Sequence, residues 1–230
     1  MDVLGLIPAR GGSKSIPRKN TVRLGGKPLL AYACQEALKS RRITRVLLST
    51  NDSRIADVGK KCGVEVPFLR PARLSSDTAG MGDVIFHALQ FLKTRGYKPD
   101  VVVVLQPTSP FRKAKRIDAA VSLLLKTGAD TVVSVTEVPH QFLPSSVMRL
   151  KSGRLHFYER GSKPILRRQD KPKLYARNGP AVLVLRTSSF LKNKQFYAGD
   201  VRPLIMEPQE SLDIDTPFDL KLARYFITSP

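Results

Sequence analysis

Apolar runs of strand length alternate with helical apolar spacings along residues 1–135. Val3–Ile7 and Val46–Ser49 are such runs, each followed by polar or turn-forming residues and then a helical pattern. Leu29, Leu30, Ala33, Ala37 and Leu38 recur at helical spacing, and Asp52 is placed to cap a helix over Ser53–Lys61. Glu65–Phe68 reads as a third strand. Within Met81–Arg95, apolar residues repeat at Val84, Ile85, Ala88, Leu89 and Leu92, with Gly96 as a stop signal. Val101–Leu105 is apolar throughout, as expected of a central parallel strand buried on both faces. A helix over Lys115–Lys126, ending at Gly128, and a fifth strand over Thr131–Val135 complete the series. Short connections between these units predict an α/β chain in three layers around a mostly parallel central sheet.

The rhythm breaks after Val135. Pro139, Pro144, the short runs Val147–Leu150 and Arg154–Phe157 and the basic stretch Lys163–Lys173 predict an inserted arm over about 136–180, not a second domain. Regularity returns with Ala181–Leu185, Val201–Met206 and a last helix from about Thr216 to Phe226. The chain of 230 residues thus reads as one domain over 1–230 carrying an arm. Its 42% hydrophobic and 25% charged residues suit a globular core and exclude a low-complexity or disordered chain.

Charge changes the picture more than composition does. Thirty-nine Lys and Arg against 19 Asp and Glu give a formal +20, which predicts an anionic partner without saying which. Cys34 and Cys62 have neither the density of a disulfide scaffold nor the spacing of a zinc site, so a cytoplasmic setting is expected. Val3–Ile7 is too short for a signal sequence or a spanning helix, and no membrane association is expected.

The densest chemical signal follows the first strand: Ile7-Pro-Ala-Arg10-Gly11-Gly12-Ser13-Lys14-Ser15-Ile16-Pro17-Arg18-Lys19-Asn20. Ligands of open α/β sheets bind beyond the carboxyl ends of the strands, so glycines and basic residues here are placed to hold phosphates. The loop is neither a Walker A sequence nor a Gly-x-Gly-x-x-Gly dinucleotide turn. A second signal is acidic: Glu207, Glu210, Asp213, Asp215 and Asp219 stand in a segment without Lys or Arg. Asp213 and Asp215 fall on one side of an extended chain and suit Mg²⁺, while a capping role for Asp215 at Thr216-Pro217 would explain one carboxylate only. Gln106, at the end of the central strand in Leu105-Gln-Pro-Thr-Ser-Pro-Phe-Arg112, can donate and accept toward a ligand. His87, His140 and His156 share no metal-ligand spacing, and no nucleophile–base pair is apparent.

In order, the loop Ile7–Asn20, the run Arg70–Ala79, Leu105–Arg112, Arg168–Gly179 and Ser211–Thr216 resemble the acylneuraminate cytidylyltransferases, or CMP-sialic acid synthetases, over nearly the whole chain. The resemblance implies a Rossmann-like nucleotide-diphospho-sugar transferase fold with a small dimerisation arm, and a homodimer. It implies CTP as co-substrate, a nonulosonic acid as acceptor, pyrophosphate release and Mg²⁺. Arg10, Ser13, Lys14, Lys19, Asn20, Arg70 and Ala79 match the nucleotide site, with Arg10, Lys19 and Asp215 as catalytic residues and either Asp215 or a metal-bound water as the group that takes the sugar's proton. Asp213 and Asp215 match the metal pair, and Gln106, Arg168, Tyr175, Asn178, Phe196 and Tyr197 match the sugar-acid pocket.

The chain departs from the family pattern at Ser15, Met81 and Val182, and near Leu143 it lacks a lysine found in some members. These departures bear on which sugar acid is used more than on the reaction; a related cytidylyltransferase acting on a sugar such as Kdo is the alternative. A basic nucleic-acid-binding protein is the rival from another class. It rests on basic clusters at 39–45, 112–116 and 163–173, but aromatics do not interleave with them and nucleic acid is not the expected partner.

Overall fold

The computed structural model describes residues 1–158, 165 and 167–228. Its strands are β1 (Val3–Pro8), β2 (Arg23–Leu24), β3 (Lys27–Pro28), β4 (Arg45–Ser49), β5 (Val101–Val104), β6 (Thr131–Glu137), β7 (Met148–Lys151), β8 (Arg154–Phe157), β9 (Tyr175–Arg177), β10 (Leu183–Arg186) and β11 (Val201–Ile205). The α-helices are α1 (Leu29–Lys39), α2 (Ser53–Lys61), α3 (Met81–Lys93), α4 (Ala114–Thr127), α5 (Thr187–Asn193) and α6 (Pro217–Thr228).

Strand order in the main sheet is β11-β6-β10-β5-β1-β4, with β9 added to β6. β4, β1, β5, β6 and β11 run in one direction, and β10 and β9 run against them. The four consecutive valines of β5 show why the middle layer is buried on both faces. Val101 and Val103 pack with α1, α2 and α4, whereas Val102 and Val104 pack with α3 and Phe190 of α5. This is the expected three-layer arrangement. Asp52 caps α2, accepting from the backbone N–H groups of Arg54 and Ile55.

One reading of the sequence needs correction, and two features were not read at all. Glu65–Phe68 is not a full strand; only isolated bridges, Leu47 to Glu65 and Thr50 to Leu69, tie that segment to the edge of β4. β10 enters the parallel sheet antiparallel, a direction that an apolar run cannot encode. The hairpin β2–β3 and helix α5 lie where no element was expected.

The architecture changes after β6. β7 and β8 form a hairpin paired only with each other, and both strands are exposed throughout. Part of the basic stretch 163–173 lies outside the described residues. Among the described residues, no helix is long and apolar enough to cross a membrane.

Candidate active site

The chain leaves β1 for β4 on one side and then crosses to β5 on the other, so the sheet's switch point lies between β1 and β5. A cavity of about 460 Å³ opens there. Its walls come from the loop after β1 (Arg10–Lys14, Lys19 and Asn20), the segment Arg70–Met81, the turn after β5 (Gln106–Thr108) and Asp215.

Long-range hydrogen bonds hold the loop. The Asn20 side-chain amide donates to the Arg10 carbonyl at 2.9 Å, and the Gly11 N–H donates to Asn51 Oδ1 at 3.0 Å. Position 11 requires glycine, because a Cβ there would stand 2.8 Å from Asp52 Oδ2. Arg10 donates to Asp77 Oδ1 at 2.8 Å and to the Ser76 carbonyl at 3.2 Å, while Lys14 meets the other Asp77 oxygen at 2.7 Å. One carboxylate thus bridges two cations, and Lys14 and Arg10 hold its pKa below the usual range. Lys19 pairs with Asp215 Oδ1 at 2.8 Å, and the Ser15 hydroxyl donates to the Asp215 carbonyl.

Arg70 is buried and, among the described residues, pairs with no carboxylate; its Nε donates to Ser75 Oγ at 3.0 Å. Burial and then the nearby Arg10 push its pKa down. A buried guanidinium beside other cations on a cavity wall stores an affinity for an anion.

The capping alternative for Asp215 fails. Asp219 Oδ2 accepts from the backbone N–H groups of Asp215 and Thr216 and from the Thr216 hydroxyl, which in turn accepts from the Asp219 N–H. Thr216 and Asp219 therefore cap α6, and the Asp215 side chain is left for Lys19 and the cavity. Asp213 sits behind Gly179, where a Cβ would lie 2.9 Å from Asp213 Oδ2 and φ is +105°. Its Oδ1 is buried without a hydrogen-bond partner, and burial pushes the carboxyl pKa up, with Asp215 and Asp219 adding to the rise. An orphaned carboxylate oxygen next to a cavity-facing carboxylate fits a divalent cation, which takes one or two carboxylates and completes its shell with phosphate and water.

The sugar-side residues divide. Gln106 lines the cavity and its amide donates to the Gly179 carbonyl at 2.8 Å. Asn178 is buried and engaged: its Oδ1 accepts from Ser134 at 2.6 Å and from the Ala181 N–H at 3.2 Å, and its Nδ2 donates to Ser211 at 2.9 Å. It holds the Gly179 turn in place. Phe196 stacks on Phe190 at 5.9 Å and reaches Gly82, while Tyr197 stays exposed beside it. Arg168 lies elsewhere, lining a separate cavity with Glu137, Lys171, Lys173 and Glu207 that shares no residue with the first. Tyr175 is exposed on β9, opposite Glu137.

Two participants escaped the sequence reading. Asp77 had no role assigned, although it stood within a motif. Arg112 counted toward a basic cluster with no role assigned; it is buried, with Nη1 donating to the Gln106 carbonyl at 3.1 Å and the Ala181 carbonyl at 2.7 Å. Burial pulls its pKa to about 10. In the basic clusters three cations pair within the chain: Arg116 with Glu210, Lys39 with Glu36 and Arg45 with Glu65.

A switch-point cavity walled by a basic loop is the place where an α/β fold can hold a phosphorylated ligand. The chain belongs to the cytidylyltransferase family, whose model matches residues 4–226, and is thus a nucleotidyltransferase. It is 37% identical over 224 residues to the CMP-N,N'-diacetyllegionaminic acid synthase of Legionella pneumophila, covering 96% of this chain and 94% of that protein. It is 30% identical to the pseudaminic acid cytidylyltransferase of Campylobacter jejuni, with 97% and 95% covered. The fold is shared with a solved CMP:2-keto-3-deoxy-manno-octonic acid synthetase complexed with CTP, at 16% identity, TM-score 0.72 and 99% of both chains.

Proposed function

We propose that this protein activates a 3-deoxy-2-keto nonulosonic acid by transferring CMP from CTP, with release of pyrophosphate. The observation that carries the reading is the convergence of Arg10, Lys14, Lys19 and Arg70 on one switch-point cavity, with carboxylates seated on three of them where phosphates would sit. The relatives named for legionaminic and pseudaminic acids support the acceptor class.

In this mechanism the nucleotide replaces Asp77 and Asp215 on the loop cations. Ser13, Asn20, Arg70 and Ala79 frame the nucleotide, and Arg10, Lys14 and Lys19 hold its triphosphate. The sugar's C2 hydroxyl oxygen forms a bond to the α-phosphorus as the bond from that phosphorus to the bridging oxygen breaks. Arg10 and Lys19 stabilise the charge that moves onto pyrophosphate. Asp215, the one member of the aspartate pair that lines the cavity, takes the hydroxyl proton. Asp213 and Asp215 would hold Mg²⁺, which when bound polarises the phosphate. Gln106, Phe196 and Tyr197 form the sugar side, with Asn178 as their support.

The arm is read as a homodimer contact, because Met148, Leu150, Leu155 and Phe157 are exposed on one hairpin. Arg168 and Tyr175 belong to that arm, and a contribution from them to the sugar site runs through the dimer. Free Cys34 and Cys62 accord with a cytoplasmic enzyme.

The test is pyrophosphate release with each of the four NTPs, Mg²⁺ and a panel of eight- and nine-carbon 2-keto-3-deoxy sugar acids. Release is expected with CTP and a nine-carbon acid. Release only with the eight-carbon acid moves the enzyme to Kdo chemistry, and no release with any pair overturns the reading.

A further inference from the structure

Two of the cations that a triphosphate would use are already engaged by the chain itself. Asp77 places one oxygen 2.8 Å from Arg10 Nη1 and the other 2.7 Å from Lys14 Nζ, and the Ser76 carbonyl accepts from the same Arg10 nitrogen at 3.2 Å. Little else ties this segment across the cavity. It lies outside any helix or strand, between the single turn Ala72–Leu74 and the start of α3. Among the described residues, its remaining hydrogen bonds are local: Ser75 with Arg70, Pro71 and Ala72, Ser76 with Arg73 and Thr78, and the Ala79 N–H with the Ser76 carbonyl.

Ser76, Asp77 and Ala79 line the cavity, so the carboxylate stands in the volume that a nucleotide would take. The bridge also faces solvent: the Asp77 side chain is 52% exposed and that of Lys14 80%. Exposed ion pairs are weak, and a carboxylate that is half in water can swing away without leaving a buried charge behind. A carboxylate brings one charge and two oxygens to the cations, whereas a pyrophosphate brings more of both. Asp77 therefore yields to a polyphosphate, and it remains tethered beside the same cations, ready to take them back.

We propose that Asp77 is a built-in competitor for the phosphate site, one that weakens nucleotide binding and helps to drive pyrophosphate off Arg10 and Lys14 after transfer. Asp77 acts through those two cations and is a positioning residue, not a catalytic one. The assignment rests on the nucleotidyl-transfer reading and goes beyond it by giving product release a residue. The opposite role, a carboxylate that orients Arg10 and Lys14 to receive phosphate, would use the same contacts and predicts the opposite sign.

The experiment titrates the full chain with pyrophosphate and with CTP, each with Mg²⁺, and follows binding by calorimetry in wild type, Asp77→Asn and Asp77→Glu. Asp77→Asn keeps the shape, loses the charge and should bind pyrophosphate about 2- to 30-fold more tightly, the range for giving up two exposed ion pairs. CTP binding should tighten in the same direction. Asp77→Glu keeps the charge and should stay near wild type; Asp77→Ser serves if the amide variant folds poorly. In turnover, Asp77→Asn should be inhibited at lower pyrophosphate concentrations, while its single-turnover transfer rate stays within about twofold of wild type. Unchanged or weaker pyrophosphate binding in Asp77→Asn overturns the assignment, and weaker binding returns Asp77 to orienting the two cations. A wild-type chain that binds neither pyrophosphate nor CTP overturns the transfer reading and this assignment together, so the two failures are distinguishable.

Discussion

The cavity at the switch point and the arm that follows β6 are both made of loops and short strands, but they are held in opposite ways. Around the cavity, hydrogen bonds join residues far apart in sequence: Gln106 to Gly179, Arg112 to Ala181, and Gly11 to Asn51. The apolar layers under β1 and β5 stand directly behind them. In the arm, β7 pairs with β8 and nothing else, and Leu150 and Leu155 are 72% and 64% exposed. The first region is preorganised for a ligand. The second leaves apolar groups exposed on one hairpin, and such groups gain free energy only by being covered.

The largest expected effect is at Arg10. Arg10→Ala should lower kcat by about 10²- to 10³-fold, typical of losing one donor aimed at developing charge, with a much smaller change in CTP affinity. Single-turnover rates and nucleotide titration check the split. Equal loss in both would assign Arg10 to ground-state binding, and a comparable kcat loss from an arm substitution would break the contrast between the two regions.

Next comes the strut beneath the cavity. Arg112→Met removes the donor shared by the Gln106 and Ala181 carbonyls, and an unsatisfied buried carbonyl costs about 1–3 kcal/mol. Removing a buried charge offsets part of that loss, because the desolvation that lowers the Arg112 pKa is also relieved. A net loss of about 2 kcal/mol is expected in urea denaturation, together with a raised KM for the sugar acid as Gln106 loses its seat. Unchanged stability would show that the carbonyls find other donors.

The arm should respond differently. Leu150→Asp with Leu155→Asp places charge on the exposed apolar face and should shift a dimer toward monomer in analytical ultracentrifugation while leaving the monomer's unfolding midpoint nearly constant. A large fall in that midpoint would mean that the hairpin is covered by its own chain.

The same contrast governs what the sequence discloses. β1, β4, β5 and β6 were legible because strands buried on both faces are apolar runs with few alternatives, and the loop after β1 was legible because strand ends are where ligands bind. The direction of β10 was not, since periodicity is the same for a strand read either way. The role of Arg112 was not legible because a charge count is blind to burial, and only the fold reveals that its guanidinium has backbone carbonyls to satisfy. Asp77 was overlooked because its role comes from two partners more than 60 residues away in sequence. Arg168 was grouped with the sugar site through resemblance; within one chain it lines another cavity, on the arm.

The smallest expected effect lies in the wall behind the cavity, where titration reports burial that the arm lacks. His87 on α3 meets the Phe68 ring edge-on at 4.7 Å, and its Nδ1 is buried without a partner. Burial, then Arg73 and Arg70, lower its pKa from the ordinary 6.5. The folded chain therefore keeps the imidazole neutral at pH values where the unfolded chain has begun to protonate it. With more protons bound in the unfolded state, stability rises with pH across that window and is lost as pH falls from about 6.5 toward the lower folded value. His87→Gln should flatten this part of the curve when chemical denaturation is compared at pH 7.5, 6.5 and 5.5. A slope that survives the substitution would place its source in other groups, and the wall of the cavity would then be less tightly desolvated than its packing against Phe68 requires.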